Sequence, residues 1–379
     1  MHLAFVSQYD PADPRAYSGI PRSMVRALRE RVGRLSVVAP LPFGNRVGGR
    51  VAKLRHRARG LGYSRQHTPA AARALAEAAG PRLRALRPDA VLSPSTLPLY
   101  ALDVDGPTAC WPDATFEANL LFYPEFTNLP DAHVIEAHAV ERRALHAARL
   151  VLGAGAYAAD SARGYYGVPD DRVHVVPYGA NLDTPPTDAE VEAGRDERRA
   201  AWARGEVRLL FVGGGWVRKG GDVALRVAEV LAGQGVDARL TVAGAAPPVR
   251  GHPRLDYAGF LDQSDPEEGA RLRRLFATSH FLCMPVRAED FGCVFAEAAA
   301  FGVPSLGTDV GGVPTAVGEG GVLFRPRERP QTIAERALAL LSDGDAYDAL
   351  ARSARGRFER VTNWGTAADH ALRLIREVL

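Results

Sequence analysis

Short apolar runs bounded by turn-forming residues recur along both halves of the chain. They occupy residues 2–7, 35–40, 89–94, 107–111, 149–155 and 172–179 in the first half, and residues 207–213, 238–244, 256–260, 280–285, 303–307 and 321–324 in the second. Segments with helical periodicity lie between several of them, such as PRSMVRALRERVG and DVALRVAEVLAGQG. Strand-like runs that alternate with helical segments are typical of βαβ units. Both halves are therefore predicted to be doubly wound parallel sheets of an α/β fold.

A polar, proline-containing stretch without a strand-like run separates the two halves. It covers residues 181–206 and reads NLDTPPTDAEVEAGRDERRAAWARGE. Because 379 residues exceed the size of a single core, we predict one Rossmann-like domain over residues 1–180 and another over residues 200–361. Ligands of such folds bind at the carboxyl ends of the strands. Two such domains predict a ligand site in the cleft between them.

The overall charge is small, but one stretch is strongly basic. A formal net charge of +3 gives no reason to expect nucleic-acid binding. Residues 31–76 contain no acidic side chain, and this region is suited to attract a phosphorylated acceptor or an anionic membrane surface. We favour a plain solvated face, since no apolar stripe accompanies the charges. The basic residues are Arg31, Arg34, Arg46, Arg50, Lys53, Arg55, Arg57, Arg59, Arg65 and Arg73.

Cysteine usage and the first residues indicate where the protein functions. Cys110, Cys283 and Cys293 lie far apart in apolar sequence, which predicts small buried side chains in a reducing compartment. The chain begins with the strand-like MHLAFVS rather than a signal-peptide pattern, and it lacks an apolar run long enough to span a membrane. These features predict a cytoplasmic protein.

A glycine-rich loop contains one of the only two lysines among the 47 basic residues. The loop, FVGGGWVRKGGD, follows a strand-like run, and glycines 213–215 lack the Cβ atoms that would keep a ligand from the backbone. Arg218 and Lys219 precede a helix that we expect to begin near Gly221 or Asp222, an arrangement that predicts an anion site. The spacing excludes a Walker loop and a G-x-G-x-x-G fingerprint. An ordinary structural turn is the alternative.

A second candidate site contains two glutamates eight positions apart. It reads PVRAEDFGCVFAEAAAFGVPSLGTDVGGVP and covers residues 285–314. Glu289 precedes a helix that we expect to begin near Asp290 or Phe291. Glu297 would lie in the middle of that helix among apolar residues, where a carboxylate is costly to bury without a hydrogen-bonding partner. A ribose with two adjacent hydroxyls would be such a partner.

The spacing of the two glutamates suits the two ends of a nucleotide sugar. Eight positions at about 1.5 Å per residue would place the carboxylates about 12 Å apart. The backbone N–H groups between them would form a helix N-terminus suited to a diphosphate or to sugar hydroxyls. These N–H groups belong to Phe291, Gly292, Cys293 and Val294. Alternatively, Glu289 only complements the helix dipole and Glu297 pairs with an arginine in the core.

These motifs together resemble those of a known family. RAEDFGCVFAEAAAFGVP followed by TDVGGVP resembles the E-x7-E signature of the retaining glycosyltransferases of family four, which have the GT-B fold. RKGGD resembles their donor-phosphate loop, and AYSGIPRSM resembles the N-terminal glycine loop that faces the diphosphate across the cleft. The resemblance, which extends to VVPYGAN and the closing helical segment, implies two Rossmann-like domains facing a deep inter-domain cleft. It also implies that a C-terminal helix, residues 362–379, crosses back to the N-terminal domain.

The resemblance also implies an activity and a set of site residues. The activity is retaining transfer of a hexosyl group from a nucleotide-diphosphate sugar to a hydroxyl acceptor, without a metal or other cofactor; we favour a UDP sugar and place a GDP sugar next. Arg218 and Lys219 would neutralise the diphosphate. Glu289 would bind the donor sugar, and Glu297 the ribose. The further donor-binding residues are Gly19, Gly215, Phe260, Asp290, Phe291, Gly292, Cys293 and Val294.

The sequence departs from the family pattern in three places. Trp216 occupies the loop and a glycine replaces the arginine that usually precedes the lysine, so diphosphate binding would rely on Arg218. Thr315 follows Pro314 where the family often has glutamate. CWPDATFEANLL lacks the histidine that often ends one N-domain strand. We place Asp113 there as a catalytic-site residue that positions the acceptor or the sugar.

Two other functions fit the same residues. The GT-B fold also occurs in sugar-nucleotide epimerases and sugar phosphorylases, and a non-catalytic nucleotide-sugar-binding subunit would use the same donor site. An epimerase needs no acceptor, so analysis of the products distinguishes it. The sequence does not specify the acceptor.

Overall fold

The computed structural model describes residues 1–42, 60–244, 246–249 and 251–379. It divides the chain into two compact units. Unit 1 comprises Met1–Pro177 and Trp364–Leu379, and unit 2 comprises Tyr178–Asn363. Each unit contains a six-stranded sheet.

The sheet of unit 1 is parallel throughout, and the order in which its strands are added reverses between β1 and β3. Its strands are β1 (His2–Val6), β2 (Arg34–Val38), β3 (Ala90–Ser93), β4 (Thr108–Cys110), β5 (Leu150–Gly153) and β6 (Val173–Val175). Their order is β2-β1-β3-β4-β5-β6. From β1 the chain first adds β2 on one side and later adds β3 on the other side. The carboxyl ends of β1 and β3 therefore flank a crevice.

The first helix of unit 1 buries one face and exposes the other. Met24 and Leu28 of the first helix are fully buried, whereas Arg29 is exposed. The helices are α1 (Ile20–Arg29), α2 (Pro69–Leu86), α3 (Phe116–Asn119), α4 (Asp131–Ala147) and α5 (Ala156–Gly164).

The last helix of the chain belongs to unit 1, as the family resemblance implied. This helix, Trp364–Glu377, lies against α1, and Arg31 pairs with Asp369 at 3.1 Å. Trp364 is buried at 5% exposure, and its ring contacts Trp111 with 5.9 Å between centroids. The Trp111 indole donates to the carbonyl oxygen of Val176 at 2.8 Å. The C-terminal helix thus closes the core next to β4 and β6.

The sheet of unit 2 repeats the same arrangement, and the order in which its strands are added reverses between β7 and β10. Its strands are β7 (Glu206–Gly213), β8 (Asp237–Gly244), β9 (Leu255–Gly259), β10 (Phe281–Met284), β11 (Ser305–Thr308) and β12 (Gly321–Phe324). They are parallel, in the order β12-β11-β10-β7-β8-β9. The twelve strands agree with the twelve predicted runs. The glycine loop follows β7 and the E-x7-E segment follows β10, so the two sequence motifs meet at one switch point.

The polar segment between the two halves contains a helix of unit 2. Thr187 and Glu190 form a reciprocal capping box at its start, and Arg273 pairs with Glu190 at 2.9 Å. The helices of unit 2 are α6 (Asp188–Ala203), α7 (Gly221–Gly233), α8 (Pro266–Thr278), α9 (Cys293–Ala300), α10 (Val313–Val317), α11 (Pro330–Ser342) and α12 (Gly344–Arg360), and the closing helix of unit 1 is α13.

Replacement of Trp364 tests whether the C-terminal helix is part of the core of unit 1. We expect Trp364→Ala to lower the free energy of unfolding of unit 1 by about 3–5 kcal/mol, because it leaves a cavity next to Trp111. Urea titration measures this loss when unfolding is monitored by hydrogen exchange of the amides of β1–β4. Trp202→Ala, a change within unit 2, is the control and should leave the unit 1 transition in place. A loss below about 1 kcal/mol in Trp364→Ala would contradict this role.

Candidate functional site

The glycine loop is a tight turn at the carboxyl end of β7. The Lys219 N–H donates to the Gly215 carbonyl at 3.0 Å, and the Gly221 N–H donates to the Trp216 carbonyl at 2.8 Å. Helix α7 begins at Gly221, as predicted. Gly220 has a φ of +79°, and a Cβ atom there would lie 2.0 Å from the Pro285 carbonyl oxygen. Only glycine allows the loop to approach the segment after β10 so closely.

The three glycines at the end of β7, residues 213–215, have different surroundings. At Gly213 a Cβ atom would lie 2.8 Å from Cδ and 2.9 Å from Cε of Lys219. At Gly214 it would meet nothing within 4 Å, and Gly215 has a φ of +101°. From the sequence, these positions are expected to let a ligand approach the backbone; at Gly213 the Lys219 stem lies where a Cβ atom would be. Gly213 also has a φ of +141°, a backbone conformation that favours glycine, so both the backbone and the lysine stem suit a glycine there.

Two cations contact one largely buried carboxylate at this switch point. Lys219 Nζ lies 2.7 Å from Glu289 Oε2, and Arg218 Nη1 lies 3.2 Å from the same oxygen. Lys219 and Glu289 are 11% and 12% exposed. Burial raises the pKa of Glu289, but the charges of Lys219 and Arg218 outweigh that effect, so its pKa lies below the ordinary value. The cluster therefore holds an ionised carboxylate and carries one excess positive charge.

The second glutamate lies within reach of the same lysine charge. Glu297, on α9, is buried, and burial raises its pKa to about 7. A backbone hydrogen bond from Asn181 and the charge of Lys219 act in the opposite direction. Lys219 thus influences both glutamates. Glu289 is held as an anion, whereas Glu297 titrates close to neutral pH.

Helix α9 begins later than predicted. It starts at Cys293 rather than at Asp290 or Phe291, because Gly292 adopts a φ of +82° and forms the N-cap. The residues from Glu289 to Gly292 are not helical, so the distance of about 12 Å based on a straight helix does not apply. The ring of Phe291 is buried against Tyr178 instead, with 5.4 Å between centroids.

The first turn of α9 therefore presents fewer N–H groups than predicted. Cys293 and Val294 are its first two residues, and the Phe295 N–H donates to the Gly292 carbonyl at 3.0 Å. Asp290 and Phe291 belong to the preceding turn. The loop that contains Gly311 and Gly312 packs against this turn. A Cβ atom at Gly312 would lie 1.8 Å from the Asp290 carbonyl oxygen.

Phe260 lies farther along the same edge of the sheet. It follows β9, where Gly259 has a φ of +87°, and it is 58% exposed. Because β8 lies between β7 and β9, about 10 Å separate the ends of these two strands. Phe260 is thus placed to the side of the Lys219–Glu289 cluster, on the same carboxyl edge.

A second cluster lies at the switch point of unit 1. The rings of Tyr9 and Tyr17 are stacked with 4.6 Å between centroids, and the Tyr17 hydroxyl donates to Asp113. Tyr17, Ser18 and Gly19 have φ values of 49°, 56° and 77°, so three successive residues are left-handed. For a residue other than glycine this costs on the order of 1–2 kcal/mol. Strain of this kind is concentrated at functional sites.

Further polar groups surround this cluster. Ser95 Oγ donates to Gln8 Oε1 at 2.8 Å, which connects the ends of β3 and β1. Burial raises the pKa of Tyr9 to about 12, and the nearby charge of Asp113 acts in the same direction. Asp113 and Gly19 are site residues predicted from the sequence, whereas Tyr9, Gln8 and Ser95 are not among them. Their position directly after strand runs was the signal that could have identified them.

The remaining sequence expectations have mixed outcomes. All three cysteines are buried and free. Residues 46–59, which contain six of the ten basic residues of the stretch, lie outside the described residues. Arg31 of that stretch pairs with Glu30 at 3.0 Å.

The described parts of the chain contain neither a membrane-spanning helix nor a group of metal ligands. None of their helices is both long and apolar enough to cross a membrane. Among the same residues, no three or more His, Cys, Asp and Glu side chains are grouped so that they could hold a metal ion.

The second half of the chain matches a known family. Residues 206–343 match the family described as Glycosyl transferases group 1. The chain is 34% identical over 217 residues to the D-inositol 3-phosphate glycosyltransferase of Xylanimonas cellulosilytica, covering 54% of this chain and 51% of that one. It is 34% identical over 194 residues to the enzyme of that name from Nocardia farcinica, covering 48% and 42%. The chain thus spans about half the length of the curated relatives it matches.

Solved structures resemble the chain over its whole length. Sucrose-phosphate synthase from Thermosynechococcus elongatus has a TM-score of 0.68 at 17% identity and covers 100% of this chain and 99% of its own. Anabaena Alr3699/HepE, solved in complex with UDP, has a TM-score of 0.64 at 15% identity and covers 100% of both chains. At these identities the likeness shows the fold, and it confirms the predicted GT-B class.

The raised pKa of Glu297 predicts a specific pH dependence of stability. Between its ordinary value of 4.5 and about 7, the unfolded chain loses this proton before the folded chain does, so the carboxyl lowers stability as the pH rises. Glu297→Gln should therefore gain about 2–3 kcal/mol relative to wild type between pH 4 and pH 8. Denaturant titrations at several pH values measure the gain. A difference that does not vary with pH would show that Glu297 is not buried as described.

Proposed function

We propose that this chain is a glycosyltransferase that uses a nucleotide-diphosphate sugar, since residues 206–343 match the family described as Glycosyl transferases group 1. One observation supports this most directly: Lys219 and Arg218 converge on Glu289 at the switch point of unit 2. Ligands of doubly wound sheets bind at such crevices. An excess positive charge there is suited to a diphosphate, and the carboxylate is suited to sugar hydroxyls.

The donor is held by charge at its centre and by carboxylates at its ends. Lys219 and Arg218 bind the diphosphate, with the N–H groups at the start of α9 as further donors. Glu289 accepts hydrogen bonds from hydroxyls of the hexosyl group. Glu297 accepts them from the ribose, in addition to its backbone hydrogen bond from Asn181. We favour UDP as the nucleotide because a structure of the same fold, Alr3699/HepE, was solved with UDP.

The two cations also supply the electrostatic stabilisation that the reaction needs. As the bond between the anomeric carbon and the phosphate oxygen breaks, negative charge accumulates on the leaving diphosphate. Positive groups that are already oriented toward it lower the barrier, and no metal ion is then required. In retaining transfer the acceptor oxygen attacks from the same face. The acceptor proton passes to a phosphate oxygen of the leaving group.

The acceptor is a hydroxyl compound bound by unit 1. Support comes from the cluster at its switch point, where Asp113, Tyr17, Gln8 and Ser95 offer hydrogen-bonding groups to hydroxyls. Asp113 positions the acceptor or the sugar rather than acting as a base. The matched relatives are named for D-inositol 3-phosphate, so a phosphorylated polyol is the first acceptor to test.

Turnover assays test the proposed activity and its two main residues. The purified chain is incubated with UDP and GDP sugars and with D-inositol 3-phosphate, and both the free nucleoside diphosphate and the glycoside are quantified. Lys219→Ala and Glu289→Ala should each lower kcat/KM at least about tenfold, or about 1.4 kcal/mol of transition-state stabilisation. Arg226→Ala, which removes an exposed cation from α7, is the control. Wild-type rates in either site variant would refute the role of that residue.

A matched pair of glycine variants tests whether the lysine position matters. Gly213→Ala places a methyl group where the Lys219 stem lies, whereas Gly214→Ala meets nothing within 4 Å. We expect Gly213→Ala to weaken UDP binding at least about tenfold in calorimetry, because the methyl group displaces the Lys219 stem and the φ of +141° disfavours residues other than glycine. Gly214→Ala should bind like wild type. Equal affinities in the two variants would mean that the position of Lys219 does not determine nucleotide binding.

A further inference from the structure

An arginine outside the ion cluster holds the glycine loop in place. Arg287 lies two residues before Glu289 and makes a bidentate pair with Asp222 on the first turn of α7, with N–O distances of 2.8 and 2.7 Å. Its guanidinium also donates to the Val217 carbonyl inside the loop. Hydrogen bonding raises the pKa of Arg287 and lowers that of Asp222. Both groups are therefore ionised at neutral pH.

The backbones of the same two segments are also bonded to each other. The Arg287 N–H donates to the Arg218 carbonyl at 2.8 Å, and Arg218 Nη1 donates to the Ala288 carbonyl at 2.6 Å. Gly220 lies so close to the Pro285 carbonyl that no Cβ atom would fit. The loop after β7 is thus fastened to the segment after β10 along its length.

This connection determines where the two cations lie. Arg218 and Lys219 sit between Val217 and Asp222, the two residues that Arg287 contacts by its side chain. The loop is rich in glycine and has no partner strand of its own, so its backbone is costly to order. A bidentate pair has a fixed direction and distance, which suits it to hold such a loop in one conformation.

The exposure of the pair indicates that it does not serve overall stability. The side chains of Arg287 and Asp222 are 45% and 49% exposed. Ion pairs exposed to this extent contribute little to the free energy of folding. Asp222 could also complement the dipole of α7, but Arg287 lies outside that helix. Replacement of Arg287 therefore distinguishes a role in fixing the loop from a role of Asp222 at the helix dipole, because only the first role requires the arginine.

We propose that Arg287 and Asp222 are positioning residues of the donor site, which fix the glycine loop so that Arg218 and Lys219 are held at the distance that Glu289 and a diphosphate require. This inference rests on the proposed function for the identity of the ligand. The connection between the two segments can be tested without a ligand.

The test compares Arg287→Ala, Asp222→Ala and the double variant with wild type. Hydrogen exchange of residues 214–222 is measured without ligand, and donor and acceptor kinetics are measured separately. We expect each single variant to speed exchange of the loop and to raise the donor KM at least about tenfold, with the acceptor KM within twofold of wild type. The double variant should resemble the single ones, because the two residues act as one unit.

Arg226→Ala is the matched control for the removal of a cation. Arg226 lies on the same helix, α7, and pairs with Glu229 at 2.5 Å, away from the loop. It should match wild type in both measurements. The inference is wrong if Arg287→Ala leaves either loop exchange or, in an active enzyme, the donor KM within twofold of wild type. It is also wrong if the variant only lowers kcat while exchange rises throughout unit 2, since that pattern indicates general unfolding.

The two proposals fail in different ways. If the wild-type chain turns over no nucleotide sugar, the proposed function is refuted. Loop exchange then decides alone whether Arg287 and Asp222 fix the loop. If wild type is active and exchange in Arg287→Ala is unchanged, the positioning inference is refuted and the proposed function stands.

Discussion

A carboxylate removed from water beside two cations is the interaction on which the site in unit 2 depends. Glu289 is almost fully buried, and its charge is tolerated only because Lys219 and Arg218 lie at 2.7 and 3.2 Å from it. Removal of either partner from a buried pair leaves a charge that water no longer solvates. The same arrangement keeps an excess of positive charge at the end of β7. The stability of unit 2 and its affinity for an anionic ligand therefore both depend on Lys219, Arg218 and Glu289.

The topology of unit 2 explains why this cluster can form. Parallel strands bring the carboxyl ends of β7 and β10 side by side, although 65 residues separate Asp222 from Arg287. Glycines then remove the atoms that would keep the two segments apart: Gly213 leaves room for the lysine stem, and Gly220 allows contact with Pro285. The chemistry is provided by few side chains, but their geometry is provided by the backbone around them.

Much of the fold could be predicted because buried parallel strands appear in sequence as short apolar runs. All twelve strands of the described residues were found in this way, and so was the start of α7 at Gly221. The start of α9 was misplaced, since the left-handed φ of Gly292 leaves no trace in the apolar pattern. Contacts between distant segments, such as Tyr17 with Asp113, depend on strand order and could not be predicted from local spacing.

Lysine-selective NMR shows whether Lys219 contacts a bound diphosphate, because Lys53 and Lys219 are the only two lysines in the chain. Protein labelled with ¹³C at the lysine side chains is titrated with UDP until calorimetry shows saturation. We expect the Lys219 side-chain resonance to shift in step with binding, as its ammonium exchanges part of its contact with Glu289 for the diphosphate. If saturation with UDP leaves the Lys219 resonance unmoved, Lys219 does not bind the diphosphate.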